Sequence, residues 1–81
     1  MLRVYLWRDR LDIEGDWVAG QLACAAEDTA GLRAACRAAG VQLPSRAERA
    51  RATDDVVQIA LAHPGRVLFL EQRRDPHWRV L

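Results

Sequence analysis

Lysine and asparagine are absent from this sequence of 81 residues, and serine occurs once. All 12 basic residues are therefore arginines, which nearly balance 11 acidic residues and leave a formal net charge of +1. Because the codons of lysine and asparagine are AT-rich, a GC-rich genome accounts for this bias without selection for guanidinium groups at phosphates. The near-neutral balance excludes the strongly basic class of protein, for which a nucleic acid would be the default partner.

Long hydrophobic runs are also absent. The apolar stretch at residues 1–6 is followed by two arginines and an aspartate, so it is too short for the apolar core of a signal peptide. No segment approaches the roughly 20 apolar residues of a membrane helix. We therefore expect a cytoplasmic protein with no membrane association, in which the two cysteines are reduced core residues rather than a disulfide.

Potential metal ligands and catalytic groups are scarce. Cys24 and Cys36 lie twelve residues apart, and His63 and His77 lie fourteen apart, unlike the closely spaced ligand pairs of a structural zinc site. The chain has neither a glycine-rich phosphate loop nor a lysine for Schiff-base chemistry. The sequence therefore predicts no metal site, no cofactor and no enzymatic activity.

Apolar residues make up 51% of the chain, but 14 of them are alanines, so few large side chains are available for a core. Residues 1–81 are enough for a single small α/β domain and no more. Domains of this size commonly gain stability from a disulfide, a metal or a partner chain. With the first two excluded, we expect a homo-oligomer, most simply a dimer, or a protein partner.

Residues 2–7 alternate between two sets of side chains, which predicts a half-buried strand. Residues 9–16, with turn chemistry at 14–16, predict a loop or hairpin connection. Residues 17–39 fit two interpretations. The first is a second strand followed by a helix capped by Asp28 or Thr29. The second is one long helix, whose seam would run from Val18 to Ala39. We favour the strand and the shorter helix, because glycines at 20 and 31 would each cost the long helix about 1 kcal/mol and a lone first strand needs a neighbour.

The rest of the chain divides clearly. Gly40 suits the left-handed residue that ends a helix, and Val41 can fold back on the last turn. Thr53 can cap a second helix, which His63 and the following Pro-Gly terminate. Residues 66–70 form an apolar run typical of an interior strand. We therefore predict an α+β fold of two layers, in which a small, mainly antiparallel sheet in the order β-β-α-α-β, with a short fourth strand at residues 78–81, carries two helices on one face.

A sheet covered on one face leaves the other face outward, and we expect aromatic side chains there. The residues assigned to this interaction surface are Arg3, Tyr5, Trp7, Trp17 and Gln21. Exposed tryptophans seal protein interfaces more often than they face water. The sequence therefore predicts a non-enzymatic protein–protein interaction module that self-associates through this aromatic face, with charge complementarity setting the orientation.

The alternative function is nucleic-acid binding on the same surface. Aromatic rings would stack on unpaired bases, as in single-strand binding proteins. Arg3 and Arg8 would contact phosphates, together with a second group further along the chain, at Arg46, Arg49 and Arg51. This alternative predicts an affinity that falls steeply with salt.

Overall fold

A computed structural model of the chain describes residues 1–43, 53–73 and 77–81. Four strands form one antiparallel sheet, in which spatial order follows chain order. The α+β class, the β-β-α-α-β order and the short fourth strand are therefore confirmed. The elements of the described residues are β1 (Arg3–Ile13), β2 (Asp16–Ala26), α1 (Thr29–Ala39), α2 (Asp54–Ala62), β3 (Val67–Glu71) and β4 (Trp78–Val80).

The first two strands form a hairpin with a two-residue loop. The prediction of a connection over residues 9–16 is therefore wrong for residues 9–13, which continue β1. Glu14 and Gly15 have φ values of 55° and 85°, which are the two positive values that a type I′ turn requires. Ile13 and Asp16 face each other across the loop. The alternative of one long helix over residues 17–39 is therefore wrong. In the hairpin, every facing pair joins an odd-numbered residue of one strand to an even-numbered residue of the other.

Gly20 lies in β2 where the ring of Phe69 crosses it. A Cβ atom at Gly20 would lie 2.3 Å from Cε2 of Phe69 and 2.4 Å from the carbonyl oxygen of Leu70. Gly20, which disfavours a helix, therefore leaves space for the ring of Phe69, the largest fully buried side chain of the sheet.

The two helices lie on opposite faces of the sheet. Helix α1 buries Leu32 and Cys36 in a cluster with Trp7, Leu22 and Phe69. Helix α2 buries other side chains in a second cluster on the opposite face, formed by Leu6, Ala23, Ala25, Val56, Ala60 and Leu68. The prediction of two helices on one face is therefore incorrect. Both faces of the paired strands carry apolar side chains, and each set needs its own cover.

The ends of α1 follow the sequence signals closely. The Asp28 carboxylate accepts a hydrogen bond from the Gly31 N–H, with 2.7 Å between the heavy atoms. Gly40 is left-handed, with φ of 70°, and the Val41 N–H donates to the Cys36 carbonyl at 2.9 Å. At α2 the outcome differs, since Thr53 is the N-cap residue but its hydroxyl makes no capping hydrogen bond.

Candidate interaction surface

Tyr5 and Trp7 belong to the core. Their side chains are 6% and 4% exposed, and both lie in the cluster that α1 covers. The prediction that they form an outward aromatic face is therefore wrong. Among the described residues the indole Nε1 of Trp7 has no hydrogen-bond partner, which is consistent with an environment built from apolar side chains.

The hairpin register separates the predicted surface into two groups. Trp17 faces Asp12 and Gln21 faces Arg8, so Trp17 and Gln21 lie on the face opposite to Tyr5 and Trp7. Arg3 is exposed and shares the side of the sheet that carries Tyr5. The two-residue loop decides this arrangement, because a turn one residue longer or shorter would reverse which side chains of β2 share a face with β1. Glu14-Gly15 is the signal that could have predicted it.

Trp17 is the one predicted aromatic residue of the hairpin that reaches solvent. Its side chain is 61% exposed, and the Arg10 guanidinium carbon lies 5.8 Å from the centre of the indole ring. Arg8 and Gln21 occupy the row beyond Arg10 on the same face. This surface, which we call the Trp17 face, combines one exposed ring with two arginines, an amide and the carboxylate of Asp12.

The other open feature is the outer edge of β1. The Ala19 carbonyl accepts from the Gln72 N–H at 3.2 Å, and the Ala25 carbonyl accepts from the Gly65 N–H at 2.8 Å, so odd-numbered residues of β2 point their backbone groups toward β3. Even-numbered residues of β2 consequently bond to β1, where their partners carry odd numbers. The even-numbered residues of β1 point outward. They are Val4, Leu6, Arg8, Arg10 and Asp12, and among the described residues no strand pairs with this edge.

One outward group of β1 has a local partner. The Arg10 N–H donates to Oδ1 of Asp9, with 2.7 Å between nitrogen and oxygen. A side chain that bonds to a free edge in this way blocks pairing at its own position, as charged residues on edge strands commonly do. The free edge of β1 is therefore open toward Arg3 and closed at Arg10.

A groove of about 460 Å³ lies beside the hairpin on the α1 side. Its walls include Leu11 and Ile13 of β1, Val41 after α1, and Arg79 of β4. Arg79 forms an ion pair with Glu71 across the strands. The same lining also carries the polar side chains of Asp9, Arg10, Asp12 and Gln42.

The cysteines lie in the core, as predicted, and both are free thiols. Burial, with a smaller contribution from the neighbouring Cys36, raises the pKa of the Cys24 thiol to about 11. Burial also raises the pKa of the Cys36 thiol. Both thiols are thus protonated near neutral pH and unsuited to act as nucleophiles there.

Over residues 1–43, 53–73 and 77–81, no group of three or more histidine, cysteine, aspartate or glutamate side chains could hold a metal ion. None of the helices in that part of the chain is long and apolar enough to cross a membrane. The predicted phosphate contacts Arg46, Arg49 and Arg51 lie outside the described residues.

No protein-family model, no curated protein and no solved structure matches this chain.

Proposed function

We propose that this protein is a non-enzymatic protein–protein interaction module that forms a homodimer. The observation that supports the proposal is the free edge of β1, a strand of 11 residues at the border of the sheet. Unpaired backbone donors and acceptors on a long edge strand form a template for another strand. This mechanism replaces the contact through Tyr5 and Trp7, because the side chains of both residues are already buried.

The two borders of the sheet differ in a way that favours β1 as the contact. Strand β4, at the opposite border, has three residues, and short edge strands offer little to pair with. In β1, the residues from Tyr5 to Trp7 are buried on both faces, so the edge there is rigid and held in an extended conformation. A preorganised edge loses little conformational entropy when it pairs.

Light scattering after size-exclusion chromatography, at several concentrations up to high micromolar, tests the proposal. We expect a mass that rises with concentration toward twice the 9.1 kDa of one chain. A mass of 9.1 kDa at every concentration would contradict it.

Arg8→Pro locates the contact on β1. The Arg8 N–H points to the free edge, so proline removes no hydrogen bond within the monomer but blocks pairing. Arg8→Ala is the matched control, because it removes the same side chain and keeps the N–H. We expect a folded monomer for Arg8→Pro, judged by circular dichroism, and wild-type dimerisation for Arg8→Ala.

Nucleic-acid binding is a second candidate, supported by the Trp17 face with its exposed ring and two arginines. Such a surface can stack a base and contact phosphates. Filter binding of single- and double-stranded oligonucleotides at low salt tests this candidate. We expect retention that falls steeply with salt and is lost in Trp17→Ala; no retention at low salt would exclude it.

A further inference from the structure

We infer that two copies of the chain pair antiparallel through residues 3–9 of β1, with Leu6 on the two-fold axis and Arg3 of each copy facing Asp9 of the other. The inference rests on the proposed self-association and specifies its register. This pairing joins the four-stranded sheets of the two copies into one continuous sheet.

Backbone geometry restricts the possible registers. Leu6 points its N–H and carbonyl outward, so an axis at Leu6 lets the two leucines exchange both hydrogen bonds. Val4 then exchanges hydrogen bonds with Arg8 of the second copy, and the reverse pair forms by symmetry. Between these pairs lie positions without backbone bonds, where opposing side chains approach most closely. Arg3 and Asp9 of the two copies meet at such positions.

Repulsion between like charges on β1 excludes most of the other registers. An axis at Arg8 or Arg10 places an arginine opposite itself, and an axis at Asp9 or Asp12 places an aspartate opposite itself. Like charges directly opposite each other destabilise a strand pair. Only an axis at Leu6 or at Leu11 brings opposite charges together along β1 without opposing like charges. The pairs are Arg3 with Asp9 for Leu6, and Arg10 with Asp12 for Leu11.

The hydrogen bond between Asp9 and Arg10 decides between these two axes. An axis at Leu11 needs the Arg10 N–H for the carbonyl of Asp12 in the second copy, but Oδ1 of Asp9 already accepts from that N–H. An axis at Leu6 ends the pairing at Asp9, before Arg10. It also leaves the other carboxylate oxygen of Asp9 for Arg3 of the second copy.

Charge reversal tests the register. Arg3 and Asp9 are six residues apart on one strand, about 20 Å, so a coupling between them can arise only between chains. We expect Arg3→Glu and Asp9→Arg each to raise the dimer Kd about tenfold or more, because each replaces two symmetric attractive pairs with repulsive ones. The double variant restores the pairs with reversed polarity, so it should bind more tightly than either single variant and recover most of the wild-type affinity.

The matched control for net charge is Arg33→Glu, an exposed change on a helix that packs against β2 and β3. It should leave the Kd within about threefold of wild type. If Arg3→Glu and Asp9→Arg leave the Kd unchanged, or if reversal at Arg10 and Asp12 shows the coupling instead, the register is wrong while self-association stands. A wild-type chain that is monomeric throughout would overturn the proposed function and this inference together.

Discussion

The β1–β2 hairpin has a base and a tip with different environments, although the same two strands form both. At the base, where residues 3–8 pair with residues 21–26, every position from Leu22 to Ala26 is buried, and a helix packs on each face. At the tip, where residues 9–13 pair with residues 16–20, the buried residues of β2 are Val18 and Gly20. The comparison shows that aromatic residues of one hairpin can have opposite roles, since Trp7 packs the core and Trp17 reaches solvent.

Trp7→Ala should have the largest effect on folding. The substitution removes a buried aromatic side chain from between the sheet and α1, and we expect the free energy of unfolding to fall by roughly 3–5 kcal/mol. Urea unfolding followed by circular dichroism measures the change. Trp7→Phe is the control, since it keeps a ring but removes the unpartnered Nε1, and it should lose clearly less. A loss below about 1 kcal/mol in Trp7→Ala would show that the base is not the centre of stability.

Gly20→Ala probes the boundary between base and tip. The added Cβ overlaps the Phe69 ring and the Leu70 carbonyl oxygen, so we expect a loss of about 1–3 kcal/mol in the free energy of unfolding. Gly31→Ala in α1 is the matched control, because its nearest neighbour, a carboxylate oxygen of Asp28, lies at 3.2 Å and alanine favours a helix. Equal losses in the two variants would contradict the proposed role of Gly20.

The buried thiol of Cys24 should make the stability of the hairpin base depend on pH in the alkaline range. The pKa of Cys24 is raised from 9.0 to about 11 in the folded chain, so the unfolded thiol loses its proton first. Because the unfolded state then binds fewer protons than the folded state, the contribution of Cys24 to stability is fully present below pH 9 and declines as pH rises from 9 toward 11. Urea midpoints at pH 8 and pH 10.5 measure this decline. Cys24→Ala should show a smaller one, and an identical decline in both proteins would assign it to other groups.

Trp17→Ala should have the smallest effect on stability. The ring is largely exposed, and the substitution removes its contact with Arg10. A cation–π contact at an exposed site contributes about 0.5–1 kcal/mol, so the free energy of unfolding should change by no more than that. A loss comparable to that of Trp7→Ala, measured by the same urea unfolding, would remove the distinction between base and tip.

Local signals predicted most of the fold. The alternation of residues 2–7, the Asp28 cap and Gly40 each act within a few residues, and each specified an element that the structure contains. The hydroxyl of Thr53 is an exception at the same local scale, since it caps nothing. Short-range signals therefore specified the ends of α1, whereas residues 9–13, assigned to a connection, continue β1.

The candidate surface was less predictable, because it depends on which side chains share a face. Tyr5 and Trp17 were assigned to one face, but the two-residue loop places them on opposite faces. The burial of Tyr5 also depends on α1 covering the face opposite to α2, which is a long-range contact. The free edge of β1 follows only from the order of the strands, which alternation within a strand does not specify.

The dimer Kd of wild type, Arg3→Glu, Asp9→Arg and the double variant, measured by sedimentation equilibrium, tests this strand pairing most directly. Pairing between Arg3 and Asp9 of two copies predicts that each reversal weakens the dimer about tenfold or more and that the double variant binds more tightly than either single variant. A double variant as weak as the two losses combined would show that Arg3 and Asp9 do not meet between copies, and would contradict pairing through the base of the hairpin.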